Sequence, residues 1–159
     1  MKKLIIPIVV LVIAVGALIF MGGENSDIIV DTKEGQVVVT REDILLMESS
    51  TTFPTVVRSS GSKPVETDYT GIWIMDFLEN LNIGEEEVDT IIFNASDGYR
   101  IMLSIEELKE PNNIFLTYMR DGEDLKSRSK GGNGPYQLVI RDDPFSQRWI
   151  KYVDEIIIQ

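Results

Sequence analysis

The stretch "GGNGPYQLVIRDDPFSQRWIKYVDEI", residues 131–156, carries the clearest structural signals in the chain. A glycine-proline turn precedes an apolar run at 136–140, and a second apolar run starts at Val153, so both runs are predicted to be strands. Paired aspartates and a cationic segment around Trp149 lie between them. The segment therefore joins predicted strands to residues that are suited to holding a ligand.

Strands dominate the prediction for the rest of the chain as well. Two pairs of apolar, β-branched runs flank short turns, at Lys33-Glu34-Gly35 and at Asp97-Gly98, and each pair predicts a hairpin. The predicted strands are 27–31, 36–40, 53–59, 90–94, 99–103, 114–119, 136–140 and 153–158.

Fewer helices are predicted, and all of them are short. Thr40 is a suitable cap for a helix that runs through Met47. Apolar residues at helical spacing predict the main buried helix over 72–81, and Ser104 with Glu107 forms a capping box that opens a third helix. The predicted class is therefore α+β, a compact arrangement of mixed sheets and short helices.

The first 23 residues have a different character. An uncharged apolar run of 18 residues, 4–21, follows two lysines, and as a helix it would span about 27 Å, close to a bilayer core. A secretory signal peptide begins in the same way, but the best small-residue site, Val15-Gly16-Ala17, is followed by further apolar residues, which favours an uncleaved anchor. We expect residues 1–23 to be a transmembrane anchor, with a cleaved signal peptide and a secreted protein as the alternative.

The flanking charges predict the orientation of this anchor. Lys2 and Lys3 keep the N-terminus in the cytoplasm by the positive-inside rule. The chain has 159 residues in all, which leaves 24–159 as a single extracytoplasmic domain of ordinary size.

Composition narrows the chemistry of that domain. The chain contains no histidine and no cysteine, which excludes histidine-based triads, thiolate nucleophiles, disulfides and cysteine-bound metals. The net charge is −11, so nucleic acid is not an expected partner. A basic island between Arg120 and Lys151 lies within this acidic chain, and it is suited to a small anionic ligand or to a surface protein.

Five short motifs in a fixed order resemble the molybdopterin-binding domain of sulfite-oxidase-like enzymes. The resemblance covers residues 53–158 and implies a sulfite-oxidase-like fold in which the glycine-proline loop and the Arg148-Trp149 segment lie near the cofactor. The motifs are Tyr69-Thr70-Gly71, Ser96-Asp97-Gly98-Tyr99, Arg120–Leu125, Gly131–Pro135 and Arg148-Trp149-Ile150.

The chain departs from this family at the positions that carry the chemistry. Ser59 stands where the family has its molybdenum-ligating cysteine, and Gln137 stands where it has an arginine. Serine oxygen ligates molybdenum in other families, but a thiolate is the softer donor. The resemblance thus implies either a domain that has lost molybdenum catalysis or an atypical molybdopterin-dependent oxidoreductase that uses Ser59.

The resemblance also gives a set of cofactor-position residues. Three arginines are expected to converge on one concave face, and the pair Asp142-Asp143 either neutralises them or points away and leaves an open anion site. The position of Trp149 near a terminal strand favours the core over stacking on a ligand. No metal ligand and no catalytic residue is predicted. The set is Arg58, Ser59, Gly132, Gly134, Arg141, Arg148 and Trp149.

The sequence therefore predicts a membrane-tethered extracytoplasmic domain that resembles the molybdopterin-binding domain and acts as an anionic-ligand-binding or protein-interaction module. No cofactor is expected, and molybdopterin is the one that the resemblance implies.

Overall fold

A computed structural model describes residues 26–58, 61–144 and 146–159. The expected anchor at 4–21 lies outside these ranges, and no helix within them is long and apolar enough to cross a bilayer. The described residues form two sheets with a few short helices, which is the α+β class that the sequence predicts.

The elements follow one another along the chain as eleven described strands and three described α-helices. The strands are β1 (Ile28–Thr32), β2 (Gly35–Val39), β3 (Ser50–Val57), β4 (Val65–Trp73), β5 (Thr90–Ala95), β6 (Arg100–Ser104), β7 (Ile114–Arg120), β8 (Glu123–Asp124), β9 (Gln137–Ile140), β10 (Ile150–Lys151) and β11 (Val153–Ile158). The helices are α1 (Arg41–Leu46), α2 (Ile74–Asn80) and α3 (Ile105–Leu108).

The first sheet has the strand order β2-β1-β11-β5-β6. The last strand, β11, lies in its centre, parallel to β1 and antiparallel to β5. The N-terminal hairpin is therefore attached to the domain through the C-terminal strand, with Val30 paired to Ile156.

The second sheet has the order β10-β9-β7-β4-β3, and β8 pairs with β7. Pro54 lies in β3, where it is tolerated because β3 is an edge strand. A register shift at Thr70/Gly71 brings β4 very close to β7, so a Cβ on Gly71 would lie 2.4 Å from the carbonyl oxygen of Leu116. Only glycine fits there without moving the backbone.

One hydrophobic core draws on both sheets. Phe93 and Ile156 come from the first sheet, Ile72 and Phe115 from the second, and all four belong to one buried cluster. Phe77 of α2 is fully buried against this cluster, and full burial of such a side chain stabilises the fold by roughly 1.5–3 kcal/mol.

Local sequence signals placed several elements correctly. Both predicted hairpins are present as β1–β2 and β5–β6. The side chain of Thr40 accepts a hydrogen bond from the Asp43 amide at 3.2 Å, and the Asp43 carboxylate accepts one from the Thr40 amide at 2.9 Å. The Thr40 hydroxyl also donates to the Asp43 carboxylate at 2.6 Å, and the hydrogen bonds from this hydroxyl and from the Thr40 amide hold the pKa of Asp43 below its usual value.

The prediction for the main helix needs correction. The chain is a strand through Trp73, and α2 begins only at Ile74. Ile72 and Trp73 belong to β4, where they pair with Leu116 and Phe115 of β7. The strand β4 was not predicted, because its first residues are polar and its position depends on pairing with distant strands.

Candidate functional site

The loop that joins β9 to β10, residues 141–149, is tied to the turn before β7. The amide of Arg141 donates to the carbonyl oxygen of Asn113 at 2.9 Å. The amide of Asp142 donates to the side-chain Oδ1 of Asn113, also at 2.9 Å. Asn113 is itself buried. Both anchor bonds involve backbone amides, so Arg141 and Asp142 at the start of the loop are fixed against the turn before β7.

Arg148 is enclosed by carboxylates of its own chain. Its Nε and Nη2 donate to the two oxygens of Asp143 at 3.1 and 2.5 Å, and Nη1 donates to Glu107 of α3. The pKa of Arg148 is raised, first by the hydrogen bonds to Asp143 and then by Glu107. Glu107 was expected to close the capping box of α3 and instead holds this arginine, while the Ser104 side chain still accepts the Glu107 amide.

The two remaining arginines of the candidate set, Arg58 and Arg141, both donate to backbone carbonyl oxygens. Arg58 Nη1 donates to the carbonyl oxygen of Pro144 at 3.3 Å. Arg141 Nη1 donates to the carbonyl oxygen of Asn112 at 2.9 Å, and its guanidinium carbon lies 5.1 Å from the centroid of the Phe53 ring. Both side chains belong to exposed residues.

Among the residues that the structure describes, these contacts leave Arg58 and Arg141 without a carboxylate partner. Across residues 26–58, 61–144 and 146–159, neither arginine forms a salt bridge. Of the two neighbouring aspartates, Asp143 folds back onto Arg148, and no contact joins Asp142 to an arginine within those ranges. We call Arg58, Arg141 and the loop segment 141–144 the arginine face. Ser59, the next residue after Arg58, lies outside the described residues.

The glycine loop uses its amides internally. The amide of Gly132 donates to the carbonyl oxygen of Ser127 at 3.0 Å, and that of Gly134 donates to the carbonyl oxygen of Lys126 at 2.8 Å. A Cβ on Gly132 would lie 2.0 Å from the Lys126 carbonyl oxygen, and one on Gly134 would lie 2.3 Å from that of Leu125. These glycines therefore permit a close approach of the chain to itself, and the expected place of Gly132 and Gly134 at the cofactor needs correction because their amides are bonded within the loop.

Gln137, which replaces the arginine of the family pattern, is buried in a polar cluster. Its Oε1 accepts from Asn133 Nδ2 at 3.2 Å and from the Tyr69 hydroxyl at 3.5 Å. Burial is the main cause of a raised pKa for Tyr69. The neutral amide of Gln137 accepts the hydrogen bonds that this buried cluster offers. A buried arginine at the same position would need an anionic partner.

Arg120 is a cation near this cluster that the sequence did not single out as a site residue. Its guanidinium lies 5.8 Å from the Tyr69 ring centroid and donates to Thr67 Oγ1 at 3.1 Å. It lines a depression of about 400 Å³ with Lys126 and the glycine loop, but Asp121, Glu123 and Asp124 line the same depression. The local excess of carboxylates makes this depression a poor anion site.

Trp149 belongs to the core. Its indole Nε1 donates to the carbonyl oxygen of Ile140 at 2.8 Å, and its ring meets Tyr69 edge-on with centroids 5.9 Å apart. The exposed fraction of Trp149 is 9%. The indole is therefore packed within the protein, as its position near a terminal strand favours, and its place in the cofactor set needs correction.

The described residues do not fit a molybdopterin at the position that the resemblance implies. The glycine amides are already bonded, Arg148 is neutralised, and the sequence has no cysteine to ligate the metal. Within the described part of the chain, no group of three or more acidic side chains is placed to hold a metal ion. Among the described residues of the candidate set, Arg58 and Arg141 are the arginines whose guanidiniums are bonded to carbonyl oxygens and not to carboxylates.

Comparison with known proteins supports the fold. No protein-family model and no curated protein matches the sequence. The crystal structure of the sulfane dehydrogenase SoxCD from Paracoccus pantotrophus is similar, with a TM-score of 0.65 and 17% sequence identity. The similarity covers 84% of this chain and 38% of the SoxCD chain, so this protein spans well under half of that chain's length. At this identity the similarity shows the fold alone, and it supports the sulfite-oxidase-like fold in its coarse form.

Proposed function

We propose that this chain is a membrane-tethered, extracytoplasmic domain of sulfite-oxidase-like fold that has lost molybdenum chemistry and binds a small anion at the arginine face. The observation that carries the proposal is the pair Arg58 and Arg141. Arg58 reaches the loop segment to which Arg141 belongs, both residues are exposed, and among the described residues both guanidiniums are bonded to carbonyl oxygens instead of carboxylates. An anion between them supplies the missing countercharge.

The chemistry of two guanidiniums defines the ligand class. Carboxylate, sulfate and phosphate each offer oxygens that match the guanidinium donors. Each charge-assisted hydrogen bond contributes about 1.5–3 kcal/mol at best, and solvent reduces that value at an exposed site. We therefore expect weak binding, with dissociation constants of about 1 mM to 10 µM. An acidic segment of a surface protein carries the same carboxylates and is a ligand of the same class.

The direct test is a titration with small anions. The full chain in detergent is titrated calorimetrically with inorganic phosphate, sulfate and succinate, alongside the double variant Arg58→Gln/Arg141→Gln. Binding by the native chain and a loss of about tenfold or more in the double variant are expected. The control is Arg100→Gln, which removes another exposed arginine, from β6. Equal affinities of the native chain and the double variant would refute the arginine face as the site.

The similarity to a dehydrogenase keeps one other function in view. In that alternative the chain is an atypical molybdopterin-dependent oxidoreductase, and Ser59 replaces the cysteine ligand. The two proposals predict different metal contents for protein isolated from its native membrane. The membrane tether through residues 4–21 is tested separately by N-terminal sequencing of the extracted protein, since cleavage would leave a first residue near Gly22 or later.

A further inference from the structure

The edge strand β2 has an open outer side. It ends the first sheet, and its only described strand partner is β1. Its sequence, GQVVV, contains no charged residue. Natural sheets commonly protect such an edge with charges, proline or a covering element, because its unpaired amides and carbonyls accept another strand. In β2 the edge carries Val37 and Val38, which are 48% and 58% exposed.

The core-facing side of this edge is also incomplete. Val37 pairs with Val30, whose side chain is fully buried, so Val37 points towards the same core. Two clefts, of about 320 and 400 Å³, lie on either side of Val37 and share Leu81 from the end of α2. Ile83 and Ile158 line the first cleft, and Leu46 and Met47 line the second. Within the described part of the chain, no element covers the core-facing side of the sheet at this edge.

We infer that β2 is a docking edge for an extended segment of a partner protein, which adds as a strand and places apolar side chains over Val37 and Leu81. Strand addition satisfies the free backbone groups, and the two clefts receive alternate side chains. The inference does not depend on anion binding, because β2 and its clefts share no residue with the arginine face.

Charge identifies the partner segment as basic. The clefts are lined by the acidic residues Glu34, Asp43 and Glu87 and by one cation, Lys33. Lys33 Nζ is occupied, because it donates to the carbonyl oxygen of Glu87 at 3.1 Å. A segment that alternates apolar residues with lysine or arginine therefore matches both the apolar clefts and their acidic rim.

A second copy of this chain is a poorer occupant. Two β2 strands related by a two-fold axis must pair antiparallel, with each side chain facing its symmetry mate on the same side of the sheet. The strand β2 of a second copy is GQVVV and carries no lysine or arginine, so it brings no cation to the acidic rim of the clefts. The lack of a matching cation in that strand disfavours self-pairing.

The first experiment uses a designed probe on the full chain in detergent. The probe is a fluorescent peptide of alternating valine and lysine, and its comparator has the same sequence with two central amides N-methylated. Fluorescence anisotropy is expected to show binding of the probe and a loss of about tenfold or more for the comparator, because N-methylation removes strand pairing. Equal binding of the two peptides would refute strand addition.

Variants then separate docking from simple charge attraction. Val37→Glu adds a negative charge, so it should strengthen binding if the attraction to the probe is purely electrostatic. If the probe docks as a strand, the same variant should weaken binding by about tenfold or more, because the carboxylate would have to be buried. Met102→Glu is the matched control, since Met102 is 59% exposed on the opposite edge strand β6. Loss in Val37→Glu with retained binding in Met102→Glu supports the inference, while unchanged or tighter binding in Val37→Glu overturns it. A thermal melt of each variant checks that the fold is intact.

The native occupant is identified by photo-crosslinking in cells. A photoreactive amino acid replaces Val37, or Met102 as the control, and the crosslinked peptide is mapped by mass spectrometry. A crosslink from position 37 to an extended, basic segment of another protein supports the inference. A crosslink to a second copy, to residues 1–25 of this chain or to lipid contradicts it, and so does a yield no higher than that at position 102.

Discussion

The role of Arg148 as an internal clamp predicts a specific loss of stability. Replacing Arg148 by alanine removes both bonds to Asp143 and the bond to Glu107. The side chain of Asp143 is 12% exposed, that of Glu107 is 31% exposed, and that of Arg148 is 43% exposed. Breaking a fully buried pair costs about 3–5 kcal/mol and an exposed pair about 0–1 kcal/mol, so for this partly exposed clamp we expect Arg148→Ala to lower the free energy of unfolding by about 2 kcal/mol.

A double-mutant cycle assigns this loss to the Asp143 contact. Urea unfolding of Arg148→Ala, Asp143→Ala and the double variant is expected to give a coupling energy of about 1–2 kcal/mol. The control is Lys109→Ala, which breaks an ion pair with Glu85 whose side chains are 47% and 52% exposed, and it should cost about 1 kcal/mol or less. A coupling energy near zero, or a loss in Arg148→Ala no larger than in Lys109→Ala, would refute the clamp and return Arg148 to the ligand-binding set.

Three further predictions concern the fold. Gly71→Ala should lower the free energy of unfolding in urea by about 3 kcal/mol, since the new Cβ would meet the backbone of β7. Gly98→Ala should lower it by less, because a Cβ there meets nothing within 4 Å, although the φ of Gly98 is +89°. Equal losses in the two variants would contradict this reasoning. Residues 24–159, expressed without metal or cofactor, should melt in one cooperative transition; a non-cooperative melt would favour the oxidoreductase alternative. The hydrogen bonds from Thr40 lower the pKa of Asp43, so this cap stabilises the fold above the ordinary carboxyl pKa and loses its contribution as the pH falls through the lowered pKa. Asp43→Asn should remove this pH dependence from the free energy of unfolding, measured from pH 6 downwards. An unchanged pH profile in Asp43→Asn would argue against this role of the cap.

Local signals were sufficient for the parts of the fold that depend on neighbours in sequence. The turn residues of β1–β2 and β5–β6 and the Thr40 cap act over two to four residues, so the sequence predicts them directly. The strand β4 was missed because its pairing with β3 and β7 joins residues far apart in the chain. The apolar residues at its end matched a helical period, and only the β7 contacts make them part of a strand.

The contacts of the candidate-site residues were predictable only in part. The resemblance drew attention to Arg58, Arg141 and Arg148, and the structure brings Arg58 and Arg141 to one loop. Sequence could not show that Glu107, 41 residues away, neutralises Arg148. Nor could it show that the amides of Gly132 and Gly134 bond to the preceding chain segment. Each of these roles follows from a nonlocal contact.

We propose that this domain, whose fold is sulfite-oxidase-like, works without molybdenum. The most direct test is the molybdenum and pterin content of full-length protein purified from its native membrane, measured by elemental mass spectrometry and by fluorescence of the oxidised pterin. We predict that neither exceeds the level in a matched blank, because the chain has no cysteine and its glycine amides are already bonded. Molybdenum and pterin at close to one per chain would contradict the account and identify the protein as an oxidoreductase.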